Sequence, residues 1–184
     1  MNEILTLDGL CIKSVAYGES DNIITIYADK RGKISAKVRA ARSAKSKLRY
    51  AASPLTFAKY VLAVKGDKAT VTACDVYDNF FSLTADMRKF YAACTVLEFL
   101  EKTQPEGEFN GALFLASLNC LRDLAYSQKA EEEVLGEFLL SALAAAGYAR
   151  PAGKLRDLGN FLYKKTDVVL TSLKGFLSLP DRRC

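Results

Sequence analysis

The sequence predicts a two-part α+β protein, a small five-stranded β-barrel followed by an all-helical bundle. Apolar and polar residues alternate through much of the first eighty residues, as they do in half-buried strands. Turn-forming clusters divide this region into short segments. From Leu83 onward the apolar spacing changes towards 3.6 residues, which is typical of helices. We therefore expect a β-domain over residues 1–80 and a helical domain over residues 81–184.

Five short runs of apolar, β-branched and aromatic residues predict the strands of the first domain. Turn signals such as Tyr17–Asp21 and Asp29–Gly32 separate them. The runs are Leu5–Val15, Ile23–Tyr27, Ile34–Val38, Leu55–Val64 and Ala69–Val76. Residues 40–53 lose the alternation, and we expect an exposed loop there. Five strands with a hairpin and one long loop between the third and fourth favour an OB-like barrel, with a small open sandwich as the alternative.

Four amphipathic segments predict the helices of the second domain. The first begins near Leu83, with Ser82 or Thr84 as its N-cap, and ends at the Gln104–Gly107 turn. Its apolar face is expected to include Met87 and Phe90. The other three helices are expected at about 110–126, 129–147 and 155–165, and residues 167–184 receive no assignment.

Residue usage argues against an enzyme and against a metal site. The chain has no histidine, the commonest general base at neutral pH, and it has neither a GxxxxGK[ST] loop nor a GxGxxG loop for a nucleotide. Its five cysteines are scattered and form no CxxC pair, so we expect no zinc and no cofactor. No segment resembles a secretion signal or a membrane span, which favours the cytoplasm.

The distribution of charge is the strongest functional signal in the sequence. Between Lys30 and Gly66 there are eleven lysines or arginines and no aspartate or glutamate. Such a surface suits nucleic-acid phosphates, because neutralising them releases counterions and drives binding that is largely independent of sequence. Nearby aromatic residues could stack on bases, and the candidates are Tyr27, Tyr50, Phe57 and Tyr60. Solvated lysines on a loop and tyrosines in a core are the competing interpretations.

A series of motifs in this region resembles the N-terminal domain of the bacterial recombination mediator RecO. They occur in the family's order and spacing over about residues 4–80, and Leu97–Leu100 resembles a segment of the family's helical part. The motifs are Tyr17–Asp21, Ile24–Tyr27, Gly32–Ala36, Arg39–Arg42 and Lys45–Leu48.

The resemblance implies an OB-fold that binds single- and double-stranded DNA, joined to a helical domain and without a reaction of its own. The family anneals complementary strands and helps to load the RecA recombinase onto DNA coated with single-strand-binding protein, together with RecR. This sequence departs from the family pattern in three ways. Leu155 and Leu158 lie where many members have a four-cysteine zinc motif, Ala40 and Ala44 replace a usual glycine and proline, and the chain is shorter than typical members.

The sequence therefore predicts a DNA-binding recombination and repair mediator. The partners that the resemblance implies are single- and double-stranded DNA, a RecR-like protein, single-strand-binding protein and, indirectly, the RecA recombinase. The motif match favours Arg39, Arg42, Lys45 and Lys47 as phosphate contacts. With their neighbours, the predicted nucleic-acid-binding residues are Lys33, Lys37, Arg39, Arg42, Lys45, Lys47 and Arg49. The alternative is an adaptor whose helical part binds a partner protein and whose basic face contacts an acidic one.

Overall fold

The computed structural model describes residues 3–148, 151 and 153–180. It has five strands followed by five helices, which confirms the predicted fold class. The chain forms two compact units. The first comprises residues up to Asn79 together with Gln104–Phe109, and the second comprises the remainder. The placement of Gln104–Phe109, which connects two helices, with the β-strand unit was not indicated by the sequence.

The first unit is a closed barrel with the strand order β1-β2-β3-β5-β4. All neighbouring strands are antiparallel except β3 and β5, which pair in parallel at Lys37 and Thr70. The long first strand pairs with β4 through its first half and with β2 through its second half. This is the OB-type arrangement that the sequence predicted. The strands are β1 (Glu3–Tyr17), β2 (Asp21–Ala28), β3 (Gly32–Val38), β4 (Phe57–Lys65) and β5 (Lys68–Asp78).

Alternation along the strands fills the barrel. On β3, Ala36 and Val38 point inward and are buried, whereas Lys37 between them is half-buried and Ser35 before them is exposed. Ile24 and Ile26 of β2 and Tyr60 of β4 join the same core. The outward-facing side of β2 and β3 consists of the cross-strand pairs Ile23 with Lys37, Thr25 with Ser35 and Tyr27 with Lys33.

The connection between β3 and β4 is more ordered than the exposed loop that the sequence predicted. It contains a 3-10 turn at Tyr50–Ala52, and Ala41, Ala51 and Ala52 are buried in the barrel core. The Tyr60 hydroxyl donates to the backbone oxygen of Ala51 at 3.4 Å. The prediction of an exposed loop was wrong for these alanines because they cover the barrel interior.

The second unit is a bundle of five helices: α1 (Met87–Thr103), α2 (Gly111–Tyr126), α3 (Glu131–Ala145), α4 (Leu155–Thr166) and α5 (Thr171–Ser178). The first helix packs on α2, α3 and α5, and α4 packs on α3. The Phe99 and Phe138 rings meet edge to face, with centroids 5.7 Å apart.

Two details of α1 differ from the prediction. Met87 and Phe90 are 60% and 38% exposed, so they lie outside the buried face, which Val96, Phe99 and Leu100 occupy. The cap is Asp86 rather than Ser82 or Thr84. Its carboxylate accepts from the Arg88 and Lys89 backbone N–H groups at 2.9 and 3.2 Å.

The last two helices include regions that the sequence left open. Leu155 and Leu158, which the sequence assigned to the fourth helix, are buried in the helical unit. The short helix α5 lies within the unassigned residues 167–184, of which residues 181–184, including Cys184, fall outside the described part of the chain.

Candidate nucleic-acid interface

A shallow groove lies on the outer side of β2 and β3 at the end where the β1–β2 and β4–β5 turns meet. Its volume is about 420 Å³. In OB-folds this face and these two turns bind oligonucleotides. Its residues come from β2, β3 and the start of β5, from the end of β1, from the β4–β5 turn and from the residue after β3: Tyr17, Ile23, Ser35, Ala36, Lys37, Arg39, Asp67, Lys68, Ala69 and Thr70.

Tyr17 supplies an aromatic ring at the edge of this groove. It is the last residue of β1, and 55% of its surface is exposed. The Lys37 ammonium lies 4.9 Å from the ring centroid. A base can stack on such a ring while its phosphate meets a neighbouring cation. Tyr17 was not among the predicted stacking residues, although its position at the β1–β2 turn of a predicted OB-fold could have identified it.

Lys37 and Arg39 lie in the groove, but their charges are not equally available. The Lys37 ammonium forms an ion pair with the Asp21 carboxylate at 2.8 Å. The hydrogen bond from Lys37, together with the Ala40 backbone N–H, lowers the pKa of Asp21 below its ordinary value. Arg39 is exposed and has no acidic partner within the described residues. Arg39 is therefore the stronger candidate for a phosphate contact.

The chain after Arg39 forms three consecutive turns that present further cations. The backbone N–H groups of Ser43, Ser46 and Arg49 donate to oxygens three residues earlier, at 3.0, 3.0 and 3.4 Å. One cation lies between the two bonded residues of each turn, and these are Arg42, Lys45 and Lys47. We call residues 39–49 the basic loop.

Arg42 has a structural contact of its own. Its guanidinium donates to the backbone oxygen of Gly18, and its backbone N–H donates to Ser20 at 3.0 Å. These bonds attach the basic loop to the β1–β2 turn beside the groove. Lys45 and Lys47 are exposed, and neither has an ion-pair partner in the part of the chain that the structure describes.

The other two predicted cations lie away from the groove. Arg49 stacks on Tyr50 at 5.2 Å, at the far end of the basic loop. Lys33 is four residues from Lys37 on β3, about 13 Å away, and its backbone oxygen accepts from Gly107 at 3.4 Å. The groove also contains Lys68 of β5, which was not among the predicted nucleic-acid-binding residues.

The four aromatic candidates have different environments. Tyr60 is in the barrel core, so its prediction as a stacking residue was wrong. Tyr27 faces outward but is fully buried beneath Phe109, with ring centroids 6.1 Å apart. Phe57 packs on Tyr77 at 5.1 Å. Tyr50 is 52% exposed and stays available for stacking.

The described residues contain neither a cluster of metal ligands nor a helix that could span a membrane. Across residues 3–148, 151 and 153–180, no three histidine, cysteine, aspartate or glutamate side chains come together as metal ligands would. Within the same residues no helix has the length and apolar character required to cross a bilayer.

Family comparisons match both parts of the chain. Residues 1–80 match the family described as "Recombination protein O N terminal", and residues 84–151 match "Recombination protein O C terminal". A DNA repair protein RecO from Acetivibrio thermocellus is 32% identical over 149 residues, covering 81% of this chain and 59% of that protein. Its counterpart from Pelotomaculum thermopropionicum is 31% identical over 141 residues, covering 77% and 54%. The chain thus spans less than two thirds of the length of these relatives.

Proposed function

Since the chain belongs to the RecO family of DNA repair proteins, we propose that it binds DNA through the groove and the basic loop. In this proposal it binds single and double strands, anneals complementary strands and assists recombinase loading, without catalysing a reaction. RecR-like and single-strand-binding proteins would be its partners, and the bacterial cytoplasm its compartment.

The observation that carries the proposal is the placement of the acid-free basic segment. The strand β3 and the basic loop bring its cations to the binding face of an OB-type barrel. Tyr17 supplies a stacking surface beside Arg39, and the basic loop continues the positive charge beyond the groove. Stacking and phosphate contacts of this kind hold a single strand with little sequence preference.

Annealing follows from the same chemistry. Two complementary strands repel each other through their phosphates, and cations that neutralise phosphates reduce that repulsion. Sequence-independent binding to the DNA backbone also leaves most base edges free for pairing. This mechanism requires no catalytic residue.

The test uses charge reversal at Arg39, Lys45 and Lys47 in one variant. Arg42 is left intact because its guanidinium holds the β1–β2 turn. Each single-strand phosphate contact contributes about 0.7 to the salt slope, so losing three contacts should weaken binding about 100-fold at 0.1 M salt. The measurement is fluorescence anisotropy with a 20-nucleotide single strand, followed by annealing of complementary strands.

A matched control reverses three exposed lysines of the second unit, Lys164, Lys165 and Lys174. It changes the net charge equally but leaves the groove and basic loop intact. We expect this control to retain both binding and annealing. Equal losses in the two variants would contradict the proposed interface, and no DNA binding by the native chain would favour the adaptor alternative.

A further inference from the structure

The segment Gln104–Phe109, which we call the connector, lies against the outer face of β2 and β3. It links α1 to α2 along the chain but belongs to the barrel unit. Glu106 forms a parallel backbone bridge with Lys33, and the Gly107 N–H donates to the Lys33 oxygen at 3.4 Å. The connector therefore adds a short stretch of extended chain beside β3.

Gly32 shows how closely the connector approaches the barrel. A Cβ atom at this position would collide with the backbone of Glu108. Gly32 also has a φ of 68°, in the left-handed region that favours glycine. Only a residue without a side chain allows both the hairpin turn and this close contact.

The connector also covers the aromatic residue at this end of the face. Tyr27 points outward beside Lys33, yet none of its surface is exposed. Phe109 packs on it with an interplanar angle of 36°. A ring that could otherwise stack on a base is therefore already occupied by a ring of the protein itself.

The chemistry of the connector parallels that of a bound strand. Its aromatic ring covers Tyr27, as a base would, and the exposed residues Glu106 and Glu108 bring negative charge beside Lys33.

We propose that the connector permanently occupies the Tyr27–Lys33 half of the face and limits bound DNA to the groove at the Tyr17–Lys37 end. This inference rests on the proposed function and specifies its site. It confines the usable face to the end of β3 that lies about 13 Å from Lys33. The nucleic acid then leaves the groove across the basic loop instead of continuing along β3.

The first test compares two neutralising variants, Lys33→Gln and Arg39→Gln, in binding of a 20-nucleotide single strand across a salt series. We expect Arg39→Gln to reduce the magnitude of the log–log salt slope by about 0.7, the contribution of one phosphate contact. The same change at Lys33 should leave the slope unaltered. Thermal unfolding of both variants checks that each is folded.

The second test needs no variant and follows amide hydrogen exchange of the native protein with and without the strand. We expect the Gly107 amide, which donates to Lys33, to remain equally protected when DNA is bound. Binding combined with faster exchange at Gly107, or with equal slope losses in both variants, would overturn the connector's role and leave DNA binding established. Absence of binding by the native chain would overturn both the inference and the proposed function.

Discussion

Glu98 connects α1 to the N-terminus of α5, and its replacement by glutamine should destabilise the helical unit. Its two carboxylate oxygens accept from the Thr171 and Ser172 backbone N–H groups at 2.9 and 2.7 Å. The Lys102 ammonium lies 2.7 Å from one of them and also donates to the Val169 oxygen at 2.8 Å. One carboxylate thus caps a helix far away in sequence.

The expected loss follows from these contacts. A glutamine has one acceptor oxygen, so it can satisfy only one of the two backbone donors, and it loses the charge that favours a helix N-terminus. A hydrogen bond to a charged group contributes about 1.5–3 kcal/mol. We therefore expect Glu98→Gln to lower the free energy of unfolding by about 2 kcal/mol at pH 7.

The effect should depend on pH. Burial favours the neutral form of Glu98, but the bonds from Lys102, Ser172 and Thr171 outweigh it and hold its pKa below the ordinary value. A carboxyl group with a lowered pKa stabilises the fold above its unfolded pKa, and this contribution disappears as the pH falls through the folded value. The difference between native and variant should therefore shrink in acid.

Urea unfolding from pH 7 to pH 3 measures this difference. The control is Glu133→Gln, the same change at an exposed position in the first turn of α3, where only a few tenths of a kcal/mol are expected. A cost of Glu98→Gln no greater than that of the control at pH 7, or a cost that is the same at every pH, would contradict the capping role of Glu98.

Three further predictions concern the barrel unit. Ala40 has a φ of 51°, so Ala40→Gly should stabilise the barrel unit. The change relieves about 1–2 kcal/mol of backbone strain and costs about 0.4–1 kcal/mol through the greater entropy of the unfolded chain. A lower melting temperature would contradict this. Tyr17→Ala should weaken single-strand binding by about 1–3 kcal/mol, whereas Tyr163→Ala, at an exposed site in the helical unit, should not. Burial raises the pKa of Cys11 to about 12, so at pH 8 the thiol should react with iodoacetamide only on unfolding, and rapid labelling of the folded protein would count against its burial.

The strands were predictable because alternation is a local signal that the barrel preserves. Ile34, Ala36 and Val38 alternate with polar residues in the sequence, and Ala36 and Val38 are buried. The buried face of α1 was harder to predict because apolar residues occur all around that helix. Met87 and Phe90 fit a helical stripe, but α2, α3 and α5 cover a different side.

The positive charge of the candidate site was predictable from the sequence, but the extent of its binding surface was not. The acid-free run located the cations, yet nothing local showed that Asp21 would pair with Lys37 or that Arg42 would bond to Gly18. The covering of Tyr27 by Phe109 depends on a contact between residues more than eighty positions apart. Contacts of this range follow from tertiary packing, which periodicity and spacing do not encode.

The most direct test of the account is the salt dependence of single-strand binding by the native chain. We predict a log–log slope of about −3 or steeper for a 20-nucleotide strand, corresponding to roughly four or more phosphate contacts from the groove and basic loop. A slope near zero, or no binding even at low salt, would contradict the account.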